Sequence, residues 1–201
     1  MNHPEIELDE EYRKKMLTAF KTENDEPLKS EDVDDPSREI NYYSFSDFDP
    51  NTGYLYYANY ARNEGVCITY WNQTDGNKLV GISKSYEEHP SSQEIEFYVL
   101  RKDGLFVMVS KYRILPSLRN IDYLDLDKLK ERNINPDSLI NAYYRNHDLY
   151  YIFPEEGKNI RVISQILTSD GYDGEFSEYE LGSVIELIWD DGKFKKGGFV
   201  D

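Results

Sequence analysis

A mostly β fold built from antiparallel meanders is what this sequence predicts, and three observations predict it. β-Branched and aromatic residues dominate after Ile40. Ile95, Phe97 and Val99 alternate with Glu94, Glu96 and Tyr98. Asp-Gly pairs recur between apolar runs, at Asp75-Gly76, Asp103-Gly104 and Asp191-Gly192. Alternation with period two marks a strand with one face buried, and Asp-Gly supplies the positive φ that a tight hairpin turn needs. The full expectation is a mainly β (α+β) chain: antiparallel meander sheets in two successive lobes, with an N-terminal helix and a mid-chain helical segment covering them.

The elements follow in chain order. Tyr12, Met16, Leu17 and Phe20 lie on one helical stripe, with Asp9, Glu10 and Glu11 at the start and Lys14 and Lys15 later, so a short helix is expected over 9–20. Residues 21–39 are rich in Asp, Glu, Ser and Pro with only Leu28 and Val33 to anchor them, which reads as a solvated linker. Strands are expected at 41–45, 53–60, 66–71, 78–82, 94–99 and 105–109, and Pro116 closes this first lobe. Helical segments are expected at 125–132 and 136–144, then strands at 149–153, 159–166, 184–189 and 193–195. The expected organisation is thus 1–39 as helix and acidic linker, 40–116 as a first β lobe, and 117–201 as a helical segment with a second β lobe packed on the first.

Charge narrows the partners. The chain carries 39 acids against 23 lysines and arginines, a net charge of −16. Such a surface repels phosphate backbones, so nucleic acid is not an expected partner, whereas a basic protein is an admissible one. No run of apolar residues is long enough for a transmembrane helix. Cys67, the single cysteine, sits in Val66-Cys67-Ile68 and reads as a buried structural thiol.

Several groups of residues are candidates for chemistry. Asp47, Asp49 and Asn51 precede Gly53 at a spacing that offers oxygen ligands to a hard cation such as calcium, but Thr52 and Ala58 stand where an EF-hand loop needs glycine and a bidentate acid. The simpler reading of 49–53 is a turn before a strand. Asp122, Asp125 and Asp127 form a second acidic group, and Asp170, Asp173 and Glu175 a third; both read as loop or helix-start residues. His3, His89 and His147 show no metal-ligand spacing with one another or with Cys67. No nucleophile motif or glycine-rich phosphate loop is present, so no cofactor and no catalytic residue is assigned. The conspicuous feature is 18 tyrosines. Neighbouring tyrosines on a strand face opposite sides, leaving one ring of each pair near solvent, and Tyr54, Tyr56, Tyr70, Trp71, Tyr143 and Tyr151 are the candidate recognition residues. β-Propensity and core filling are the competing account of the same rings.

Gly53-Tyr54-Leu55, Tyr70-Trp71 before Asp75-Gly76, Glu96-Phe97-Tyr98, Leu115-Pro116, 151–160 and 185–194 occur in an order that resembles a loose group of uncharacterised bacterial cell-envelope proteins, often lipoproteins. The likeness covers about 53–195 and rests on turns and strands. It implies an exported, envelope or periplasmic protein with no assigned activity, and it carries no catalytic residue over. The opening Met1-Asn2-His3-Pro4-Glu5 lacks the export signal typical of that group, which keeps a cytoplasmic location as the alternative. The functional expectation is a non-catalytic binding or structural module taking a protein or glycan. Its alternatives are an acidic inhibitor or immunity-type protein masking a basic partner, and a carbohydrate-active enzyme using paired carboxylates.

Overall fold

The computed structural model describes residues 43–49, 53–59, 64–86, 89–143, 149–164 and 177–200. The expected helix over 9–20, the linker over 21–39, Asn51, His3, His147 and the acidic group at 170–175 lie outside the described residues.

Two antiparallel sheets make up the fold. The first is a six-stranded meander of β1 (Tyr43–Asp49), β2 (Tyr54–Asn59), β3 (Glu64–Asn72), β4 (Lys78–Tyr86), β5 (His89–Leu100) and β6 (Phe106–Val109), in spatial order equal to chain order. Three short helices follow: α1 (Lys111–Ile114), α2 (Leu126–Glu131) and α3 (Pro136–Tyr143), with a 3-10 turn at Asn120–Tyr123 between the first two. The chain ends in a four-stranded meander of β7 (Leu149–Ile152), β8 (Ile160–Ser164), β9 (Val184–Asp190) and β10 (Lys193–Phe199).

The Asp-Gly pairs do what their chemistry predicts. Gly76, Gly104 and Gly192 adopt φ of 80°, 83° and 102°, a region closed to most side chains. In the β3–β4 turn Gly76 N–H donates to Gln73 C=O at 2.9 Å, and Asp75 Oδ1 accepts from the Asn77 N–H at 2.9 Å. Helix α2 starts where its cap stands, because Asp125 Oδ1 accepts the Lys128 N–H at 3.1 Å. Helix α3 opens on Pro136, whose missing N–H costs nothing at a first helical position. Helix α1 was not expected: Lys111-Tyr112-Arg113-Ile114 carries too little pattern in four residues to separate a turn of helix from a strand's end.

Strand alternation sends the first sheet's side chains into two apolar clusters. One face of β3, β4 and β5 contributes Trp71, Leu79 and Phe97 to a core shared with Ile160, Val162, Ile185, Leu187 and Phe194 of the second sheet. The lobes therefore share one interior. Tyr123, fully buried, seals it from the 3-10 turn by donating to Val162 C=O at 2.8 Å. The reverse face carries a second cluster of Tyr57, Val66, Ile68, Val80, Ile82 and Tyr98. Leu124, Leu129 and Tyr179 form a third beneath α2.

Candidate functional site

Trp71 organises the region where the sheets meet. Only 2% exposed, it stacks on Trp189 at 5.8 Å between ring centroids and meets Phe153 and Phe194 edge-on at 5.7 and 5.1 Å. Its indole N–H donates to the Lys158 C=O at 2.8 Å. A buried indole N–H needs such an acceptor, and this one lies in the β7–β8 connection, residues 153–159. A second bond holds the same connection, from the Trp189 N–H to Asn159 Oδ1 at 3.1 Å. At its start Phe153 is buried under Trp71 and Phe97, and Gly157 turns the chain with φ of 80°.

The pinned loop walls a cavity of about 440 Å³. Tyr54 of β2 lines it from the first sheet, and Glu155, Glu156, Lys158, Arg161 and Glu186 supply its charges. Cys67 lies opposite Tyr56 in the β2–β3 ladder, on the face that Tyr54 shares. Burial pushes the Cys67 thiol up to about 12, and the nearby Glu155 carboxylate adds to the rise. A thiol so placed stays protonated at neutral pH and is a poor nucleophile.

The expected tyrosine face is divided. Tyr54, 8% exposed, reaches the cavity. Trp71 is a core pillar rather than a surface ring, because its indole fills the space between the sheets. Tyr56 lies opposite Cys67 in the β2–β3 ladder, on the same face as Tyr54. Tyr70 points to the reverse face, its ring covering Gly53 with the Lys78 ammonium 3.9 Å from the centroid. Period two makes this separation unavoidable for the adjacent residues Tyr70 and Trp71. Tyr151 sits on β7, where the Gln93 side-chain amide pairs with its backbone through two bonds of 2.7 Å. Tyr143 ends α3. Trp71 and Tyr70 lie on opposite faces of the sheet, so the expected rings that are described do not form one surface.

The acidic groups resolve differently. Asp47 and Asp49 belong to β1, Gly53 stands in turn geometry with φ of 76° just before β2, and residues 50–52 of the expected turn lie outside the described residues. Asp122 accepts from the Arg119 N–H at 2.7 Å and pairs with Lys196 at 3.0 Å, while Asp125 caps α2. Among the described residues no cluster of three His, Cys, Asp or Glu side chains is arranged to hold a metal ion, and no helix is long and apolar enough to cross a membrane. The cavity residues Glu155, Glu156, Lys158, Arg161 and Glu186 were missed. The one sequence signal for them was the polar density of Pro154-Glu155-Glu156-Gly157-Lys158-Asn159, which also describes an ordinary loop.

No protein-family model matches the chain, and no curated protein sequence matches it. Among solved structures it is similar to a domain of an uncharacterised protein from Porphyromonas gingivalis W83, with a TM-score of 0.64 and 11% identity over 92% of this chain and 90% of that one. At that identity the likeness shows a shared fold.

Proposed function

We propose that this chain is a non-catalytic binding module of the bacterial cell envelope and that the cavity beside Tyr54 is its ligand site. The observation that carries this reading is a polar cavity whose wall is held in place before any ligand arrives, by Trp71 and Trp189 bonding to Lys158 and Asn159. A site ordered in advance loses less entropy on binding. Its lining sets carboxylates beside an ammonium and a guanidinium, the mixture that takes up the hydroxyls of a glycan segment through paired hydrogen bonds.

The test is a chemical-shift titration with soluble cell-wall glycan fragments, run on the wild type and on Arg161→Ala and Glu186→Ala. Saturable shifts at 153–161 and Tyr54, weakened about tenfold in either variant, are the expected result. Fragments that leave those residues unmoved would remove the glycan reading. Cell fractionation tests the location, with an envelope fraction expected.

A second reading rests on three carboxylates lining one cavity, Glu155, Glu156 and Glu186: a glycoside hydrolase using two of them as acid and base. Release of reducing ends from the same fragments, abolished by Glu155→Gln or Glu186→Gln, would establish it. Unchanged fragments after prolonged incubation favour the binding module.

A further inference from the structure

The cavity beside Tyr54 is lined wholly by described residues, and its charges do not balance. Three carboxylates, of Glu155, Glu156 and Glu186, stand against two cations, Lys158 and Arg161. Arg161 has Glu186 directly opposite it in the β8–β9 ladder. Directly opposite residues share one face of a sheet within reach of each other, so these two charges offset. What is left is the β7–β8 connection itself, with two carboxylates at Glu155 and Glu156 and one ammonium at Lys158, on either side of the turn at Gly157. Among the described residues no ion pair joins either glutamate to a cation, and both residues are exposed.

The fold does not use these two carboxylates. The wall is held by the Trp71 bond to the Lys158 C=O, by the Asn159 side chain on the Trp189 N–H, and by Phe153 in the aromatic core. Glu155 lies near enough to the buried Cys67 of β3 for its charge to be felt there. That places its carboxylate toward the first sheet, on the side of the cavity where Tyr54 stands.

Charge selects among glycans. We infer that this cavity prefers a glycan whose sugars carry free primary amines, with the ammonium received by Glu155 and Glu156 while Lys158, Arg161 and Glu186 take hydroxyls. The inference deepens the proposed function and rests on it. An ammonium brings three N–H donors and a positive charge where a hydroxyl brings one donor, and a hydrogen bond between charged partners is about twice as strong as a neutral one. An N-acetylated sugar has neither advantage, because its nitrogen belongs to an uncharged amide. An acidic sugar fits worse still: Lys158 would have to hold its carboxylate beside two glutamates, within a protein whose net charge of −16 repels anions.

The probes are the glucosamine trisaccharide with its amines free, the same trisaccharide fully N-acetylated, and cellotriose, which has a hydroxyl in place of each amine. They are titrated into the full chain at about pH 6, where the sugar amines carry protons. The amine trisaccharide should bind about tenfold more tightly than either neutral one, and added salt should narrow the gap. In the double variant Glu155→Gln/Glu156→Gln the preference should vanish, with the neutral trisaccharides and the melting temperature little changed. Lys158→Gln, whose backbone carbonyl still accepts from Trp71, should widen it. Equal binding of all three trisaccharides overturns the inference and leaves the glycan reading standing, as does tighter binding of trigalacturonic acid. A preference that persists in the double variant overturns it too, as does putrescine binding as tightly as the amine trisaccharide, which would assign the effect to charge alone. Failure of every trisaccharide to bind at millimolar concentration removes the glycan reading and this inference together.

Discussion

At Gly81 the sheets come so close that one methyl group has no room. A Cβ there would stand 2.7 Å from the Phe153 ring and 2.9 Å from the Trp71 ring, and both rings are held in the aromatic core. Gly81→Ala is expected to destabilise the fold by about 1–3 kcal/mol through overpacking, read as a lower urea midpoint with unchanged m-value. Gly53 is constrained twice, by φ of 76° and by the Tyr70 ring lying over it. Cys67 gives a prediction of another kind. With its thiol pushed up to about 12 by burial, it should react with a disulfide reagent at pH 7.5 far more slowly than a free thiol, and at the ordinary rate once urea unfolds the chain. Prompt native-state reaction would show that the thiol is accessible and ionised. Neither glycine announces its constraint in the sequence, because the neighbour that forbids a side chain is 72 residues away for Gly81 and Phe153.

Between elements, the hairpin turns are tied to one another as well as closed on themselves. Asp191, in the β9–β10 turn, accepts from the Thr74 N–H at 2.7 Å and from the Thr74 hydroxyl, joining it to the β3–β4 turn. These two bonds, hydroxyl first, hold the Asp191 carboxyl below its ordinary 3.8. A depressed folded value means that the charged form is favoured by folding. Its contribution is present above pH 3.8 and is lost as pH falls through the depressed value. The melting temperature of the wild type should exceed that of Asp191→Asn at pH 6, and the gap should close below the ordinary carboxylate range. A gap independent of pH would contradict this. The turn residues themselves were legible: Asp75-Gly76, Asp103-Gly104 and Asp191-Gly192 all mark hairpins. Their mutual contact was not, since nothing local to Asp191 refers to Thr74.

For the whole molecule, Trp71 joins fold and site. It packs both sheets together and also anchors the loop that walls the cavity. Trp71→Ala should cost about 3–5 kcal/mol, as expected for a fully buried large aromatic. Trp71→Phe should cost less but free the Lys158 carbonyl, so amide exchange at 155–159 should quicken in that variant while the β4 and β5 amides stay protected. Equal acceleration throughout would mean that the indole bond has no local role. The shared interior also explains why two meanders in succession behave as one body: Leu79 and Phe97 of the first sheet pack in the same cluster as Ile160 and Leu187 of the second.

The sequence alone determined the strand-rich class, the hairpin sites, the two mid-chain helices and the burial of Val66, Ile68 and Phe97. Each follows from short-range rules, period two along a strand and positive φ at a turn, which neighbouring residues express without help. Only the tertiary structure decided that Trp71 faces the core between the sheets while Tyr70 packs on the reverse face, that residues 154–161 meet Tyr54 at a cavity, and that the Gln93 amide bonds along β7. Those outcomes depend on how one sheet lies on the other, and that placement is set by contacts between residues far apart in the chain, such as Trp71 with Lys158 and Gln93 with Tyr151.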